Sequence, residues 1–161
     1  MTLIKILFTS ATGAVVVACA LIVPPPAPDY SDLVITLERT ACFGACPVYK
    51  LTIYGDGRVV YEGQQFVAVT GQQTATLTAE QVQELVNEIE KANYFALKDD
   101  YTALVTDMPS VITSVTLNGK AKTINHYGYC GADFDEAPKE LCDLELQIDA
   151  VTNSAQWVGQ P

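Results

Sequence analysis

Residues 40–63, TACFGACPVYKLTIYGDGRVVYEG, decide how the rest of the chain is read. The second half is a β-hairpin in sequence: residues 48–54 and 58–62 run either side of Gly55-Asp56-Gly57. A three-residue loop with Gly57 in the left-handed region sets Ile53 opposite Val59 and Leu51 opposite Tyr61. Lys50 then faces Glu62 and Thr52 faces Val60 on the other side. A two-residue loop on Asp56-Gly57 puts Leu51 against Glu62 instead. Register follows the apolar face, so the three-residue loop is expected. The first half carries Cys42 and Cys46 and ends on Pro47, a loop ahead of the hairpin.

Outward from this hairpin the strand signals are short. Residues 33–38 alternate Leu33, Ile35 and Leu37 against Val34, Thr36 and Glu38. Residues 66–69 and 75–77 read as two more strands, separated by Gly71-Gln72-Gln73. Thr78-Ala79-Glu80-Gln81 forms a capping box, and Val82, Leu85, Val86, Ile89 and Ala92 make the apolar stripe of a helix ended by Asn93. Tyr94, Phe95 and Leu97 return to the core, and residues 98–109 read as a polar connection. Residues 111–117 and 120–124 flank Asn118-Gly119, a hairpin whose register stays open because neither pairing gives a clean apolar face. Pro138 suits the first turn of a last helix with Leu141, Leu144, Ile148 and Val151 buried. Cys142 falls off that stripe and calls for a partner. Trp157 packs the tail back onto the domain. The expected fold is α+β: an antiparallel β-sheet of about six strands built from hairpins, with two α-helices packed on one face.

The N-terminus carries a localisation signal. Lys5 precedes the uncharged run at residues 6–23, and no Lys or Arg follows until Arg39. Three outcomes stay open. Val16-Val17-Ala18-Cys19 resembles a lipobox in which Cys19 is lipidated; Ala18-Cys19-Ala20 fits ordinary signal peptidase; and the run is long enough to span a bilayer, which takes about 17 to 25 residues. Each outcome exports the domain, tethered to the membrane or released. The expected organisation is a leader or anchor at 1–23, a proline-rich linker at 24–32, one α+β domain at 33–157 and a tail at 158–161. The formal charge of -10 repels nucleic-acid phosphates and anionic lipid, so no nucleic-acid partner is expected. With Cys19 in the leader, Cys42, Cys46, Cys130 and Cys142 remain, an even set that favours disulfides outside the cytosol. Three pairings of the four are open.

The element Cys42-Phe43-Gly44-Ala45-Cys46-Pro47-Val48-Tyr49, with Leu51-Thr52-Ile53-Tyr54-Gly55-Asp56-Gly57 and Tyr61-Glu62-Gly63 after it, resembles the bacterial domain of unknown function numbered 6438. Thr106-Asp107-Met108-Pro109 and Ala137-Pro138 with its helix are similar too. The resemblance covers roughly residues 33–157. It implies an exported or lipoprotein-like protein and no established activity. Cys130 and Cys142 stand outside the family pattern and are most economically a second disulfide.

Four constellations compete for function. Cys42 and Cys46 read as a clip on the loop, worth about 2 kcal/mol because short closures remove little chain entropy. A redox dithiol is disfavoured, since a strand follows the pair where a reactive thiol sits at a helix N-terminus. Cys42, Cys46, His126 and Cys130 allow a three-cysteine, one-histidine zinc site, or copper(I) without Cys130. A lone histidine at a strand end is more often a surface residue. Asp99-Asp100, Asp107, Asp133 and Asp135-Glu136 read as solvated loop carboxylates. The resulting expectation is a non-catalytic binding or structural module of the cell envelope, with an unknown protein or small ligand as partner and no cofactor. The alternatives are a copper- or zinc-binding or disulfide-exchange protein, or an inhibitor presenting residues 98–109 as a loop.

Overall fold

In the computed structural model, which describes residues 29–133 and 135–159, one seven-stranded sheet runs through the domain. Its strands are β1 (Val34–Arg39), β2 (Val48–Tyr54), β3 (Arg58–Gln65), β4 (Gly71–Thr76), β5 (Asp100–Thr102), β6 (Ser110–Leu117) and β7 (Lys120–Tyr127). Across the sheet they lie in the order β4-β3-β2-β1-β6-β7-β5. The helices are α1 (Ala79–Lys91), α2 (Lys139–Thr152) and the single turn α3 (Ala155–Val158). The leader, Cys19 and the prolines of the spacer lie outside the described residues.

The central hairpin takes the three-residue loop. Ile53 pairs with Val59, Leu51 with Tyr61, Thr52 with Val60 and Lys50 with Glu62. Gly57 has φ +87°, and a Cβ there would lie 2.5 Å from the Leu77 carbonyl oxygen, so the turn requires glycine. Alternation then buries Ile35, Leu37, Leu51, Ile53, Val59, Tyr61, Val111, Val115, Leu117 and Ile124 on one face. Helices α1 and α2 close this face. Thr78 and Gln81 cap α1 reciprocally at 3.3 and 2.9 Å, and Val82, Leu85, Val86, Ile89 and Ala92 are all buried. Trp157 stacks on Tyr61 with ring centroids 5.0 Å apart, joining the C-terminus to the same core.

Three elements depart from the sequence reading, and each has a local cause. Residues 66–69 are not a strand: Phe66 has φ +54°, and the amides of Ala68 and Val69 donate to the Val158 and Trp157 carbonyls at 2.9 and 2.8 Å. The chain's own end satisfies them, and β4 begins at Gly71, inside the supposed separator. Residues 100–102 form β5, which pairs in parallel with β7, so the sheet is not wholly antiparallel. There Tyr101 is buried and its hydroxyl accepts from the Lys98 amide at 3.1 Å, tying the connection down. Tyr30, assigned to the linker, packs on the central hairpin at Gly55, and its hydroxyl donates to Gln83 at 2.7 Å.

Candidate functional site

The Asn118-Gly119 hairpin explains where the polar chemistry collects. Both turn residues have positive φ, 51° and 72°, so a two-residue turn sets Thr113 opposite Ile124 and Val111 opposite His126. The inward face of β7 is therefore Lys122, Ile124 and His126. Far from being a surface residue, His126 is 1% exposed. It meets a second inward polar group from α2. Glu145 follows Leu141 by four residues and precedes Ile148 by three, which places it on the buried stripe, also at 1% exposed.

His126 lies between two carboxylates. Its Nδ1 is 2.9 Å from Glu145 Oε2 and its Nε2 is 3.1 Å from Asp135 Oδ1. Asp135, read from sequence as a solvated loop carboxylate, is 7% exposed at its side chain. It also accepts from the Gly131 and Ala137 amides at 2.9 and 2.8 Å. The desolvation of His126 disfavours its charge, but the hydrogen bond and charge of Glu145, and then the charge of Asp135, outweigh this and raise its pKa. Burial likewise pushes Glu145 up, against the downward pull of His126. Only the imidazolium donates to both carboxylates, so this is a buried, proton-holding pair steadied by a third group. The remaining oxygen, Glu145 Oε1, is buried without a hydrogen-bond partner.

The cysteines stand around two parts of this region. Cys42 and Cys46 lie at disulfide distance, with Cα atoms 5.7 Å apart, and Cys130 and Cys142 do so at 5.5 Å. Cys142, expected off the stripe, is 6% exposed, and its Sγ is 3.5 Å from Asp135 Oδ2. Cys130 Sγ lies 3.5 Å from Glu145 Oε2. Ligand atoms of His126, Cys130, Asp135 and Cys142 all fall within 4.8 Å of one another. That grouping replaces the one expected from sequence: His126 and Cys130 come together, but Asp135 and Cys142 join them in place of Cys42 and Cys46. The acidic clusters elsewhere do stay at the surface, with Asp99 paired to Lys122 and Asp100 bonded to Asn125 at 2.8 Å.

Between the two cysteine pairs is a cleft of about 280 Å³. Its lining includes Cys46, Pro47, Pro109, Val111, Cys130 and Leu146, with Arg39 as its one cation. Arg39 is held in place, its Nη2 and Nε donating to Asp149 Oδ2 at 2.6 and 3.0 Å. The Tyr49 hydroxyl and Ser154 Oγ donate to Asp149 Oδ1 at 2.7 and 2.6 Å. Burial, reinforced by the charge of Asp149, keeps the proton on Tyr49. A second cleft, of about 510 Å³, shares Arg39 and Pro47 and adds Ala45, Tyr49, Phe66 and Val158. The loop at residues 42–47 thus stands as a wall between two clefts. At its tip Phe43 is 88% exposed, and Leu146 across the first cleft is 57% exposed.

Sequence reasoning found His126 and all four cysteines. It missed Asp135 and Glu145. The signal for Glu145 was present, since a carboxylate within the 141-144-148 stripe has to face the core. For Asp135 there was none, because loop closure over α2 sets its position.

Comparison with known proteins locates the chain. No curated protein matches it. Residues 33–152 match the domain of unknown function DUF6438, and the chain belongs to that family.

Proposed function

For a family without an assigned activity, we propose that this member is a non-catalytic binding module of the cell envelope, which takes a compact, mostly apolar group in the cleft between its two cysteine pairs. That group is an aliphatic or aromatic side chain of a partner protein, or a small ligand of the same character. The observation that carries this reading is the cleft itself, mostly apolar in lining, near the lower end of ligand-site volumes and bordered by Arg39, which Asp149 holds in place. Leu146, exposed and part of the lining, carries the apolar surface out to solvent. Binding is favoured over catalysis because His126 and Glu145 are each 1% exposed, and the cleft lining includes Cys130 but neither of them. Export and tethering by residues 1–23 belong to the same proposal, and the even cysteine set supports them.

The test is titration with the apolar fluorophore 1-anilinonaphthalene-8-sulfonate, followed by fluorescence and amide chemical shifts. The expected result is saturable binding, with shifts at Val111, Gly128 and Leu146 that Leu146→Glu abolishes. Shifts scattered over the sheet, or unchanged binding in Leu146→Glu, would refute the cleft as the site.

A further inference from the structure

The cluster beside the cleft is a second site that shares only Cys130 with the cleft lining. We propose that Cys130, Cys142, His126 and Asp135 bind one zinc ion when the Cys130–Cys142 disulfide is reduced, so that disulfide and metal are alternative states of one site.

Three observations carry this. The first is convergence: four donor atoms from β7, the following loop and α2 lie within 4.8 Å of one another. In a tetrahedral site with Zn–S about 2.3 Å, neighbouring sulfurs are about 3.8 Å apart, so once the S–S bond opens the two sulfurs separate and Cys130 Sγ, 4.0 Å from Nδ1, turns toward Nε2. The second is the ring's orientation. Glu145 Oε2 lies 2.9 Å from Nδ1, the carboxylate partner that commonly fixes a metal-bound imidazole, and Nε2 is left facing Asp135. The third is Glu145 Oε1, a buried polar atom beside the cluster without a hydrogen-bond partner. Two thiolates, one imidazole and one carboxylate suit zinc better than copper(I), for which the carboxylate is too hard a ligand. Cys130 lines the cleft, so reductant and ion have a way in.

The exchange balances with a dithiol reductant. Two electrons from the dithiol break the Cys130–Cys142 S–S bond, giving two protein thiols and the oxidised reductant as a cyclic disulfide. Zinc then binds both sulfurs as thiolates and the ring through Nε2, releasing the two thiol protons and the Nε2 proton of the imidazolium.

A full chain carrying Cys19→Ser, Cys42→Ser and Cys46→Ser leaves one pair to test. It is reduced with dithiothreitol, desalted anaerobically and titrated with cobalt(II), then zinc. One equivalent of cobalt is expected to give a sulfur-to-cobalt charge-transfer band and tetrahedral d–d bands, both removed by zinc. Zinc should also protect Cys130 and Cys142 from alkylation, and the oxidised protein should show none of these effects. Glu145→Gln should weaken zinc affinity about 10- to 100-fold while keeping the cobalt spectrum. Should reduction unfold the chain, zinc is expected to restore its far-ultraviolet dichroism. The proposal is overturned by a folded, reduced protein without a charge-transfer band, by equal binding after oxidation, or by an unfolded one that zinc does not refold. Failure of the cleft titration leaves these results untouched, and the converse holds.

Discussion

The two cysteine pairs carry the same chemistry in unlike surroundings. Cys42 and Cys46 are four positions apart in an exposed loop whose neighbours Phe43, Gly44 and Ala45 all face solvent. Cys130 and Cys142 are twelve apart and join the loop after β7 to α2 over His126, Asp135 and Glu145. The first pair shapes a surface loop between two clefts. The second holds a lid over buried charge. What a cysteine pair does here is set by what lies beneath it, since the Cα separations of 5.7 and 5.5 Å are alike while burial and partners differ.

The largest effect should come from the charge under the second pair. His126→Ala leaves Glu145 buried without its partner and is expected to cost about 3–5 kcal/mol in urea unfolding with both disulfides closed. Replacing both, as His126→Leu with Glu145→Leu, should recover most of that loss, because an apolar pair needs no desolvation. A double variant as unstable as His126→Ala would mean that the pair itself, and not the orphaned charge, supplies the stability.

Opening the pairs one at a time sharpens the comparison. With a chelator present, Cys130→Ser with Cys142→Ser is expected to cost about 3 kcal/mol by loop-closure entropy, against about 2 kcal/mol for Cys42→Ser with Cys46→Ser. Equal costs, or the reverse order, would break the distinction drawn between clip and lid. Hydrogen exchange should separate them further: losing the first pair should free amides of the loop at residues 42–47 alone, and losing the second should free β7 and α2 as well.

The smallest effect is in pH. The folded pKa of His126 is raised, so its contribution is fully present below the ordinary 6.5 and is lost as pH rises through the folded value. Glu145 is also raised, so its effect has the same sign and starts from the ordinary 4.5. Asp135 faces the ring from the loop and Glu145 from α2, and both favour the imidazolium. Stability measured in urea with both disulfides closed should therefore decline from about pH 4.5 through Glu145 and further above about pH 6.5 through His126, and the Leu-Leu double variant should lack that decline. A decline of equal size in that variant would assign it to other groups.

How much of this was legible in sequence follows the same division. The central hairpin could be read to the residue, because Leu51, Ile53, Val59 and Tyr61 leave only one register with an apolar face. The capping box and stripe of α1 were equally plain. The Asn118-Gly119 hairpin was visible as a turn but not as a register, and the reason is now physical. Its buried face includes Thr113, Lys122 and His126, so the rule that inward means apolar fails where the candidate site lies. Strand β5 was hidden because three residues pairing in parallel carry no alternation, and one buried ring, Tyr101, anchors them. The clefts were out of reach altogether, as they arise from the packing of three distant segments.

A disulfide map of the full chain, trapped with an alkylating agent before purification and digested without reduction, tests the central contrast most directly. The account predicts two linked species, Cys42 with Cys46 and Cys130 with Cys142. A bond from Cys46 to Cys130 across the cleft, or four free thiols together, would contradict it.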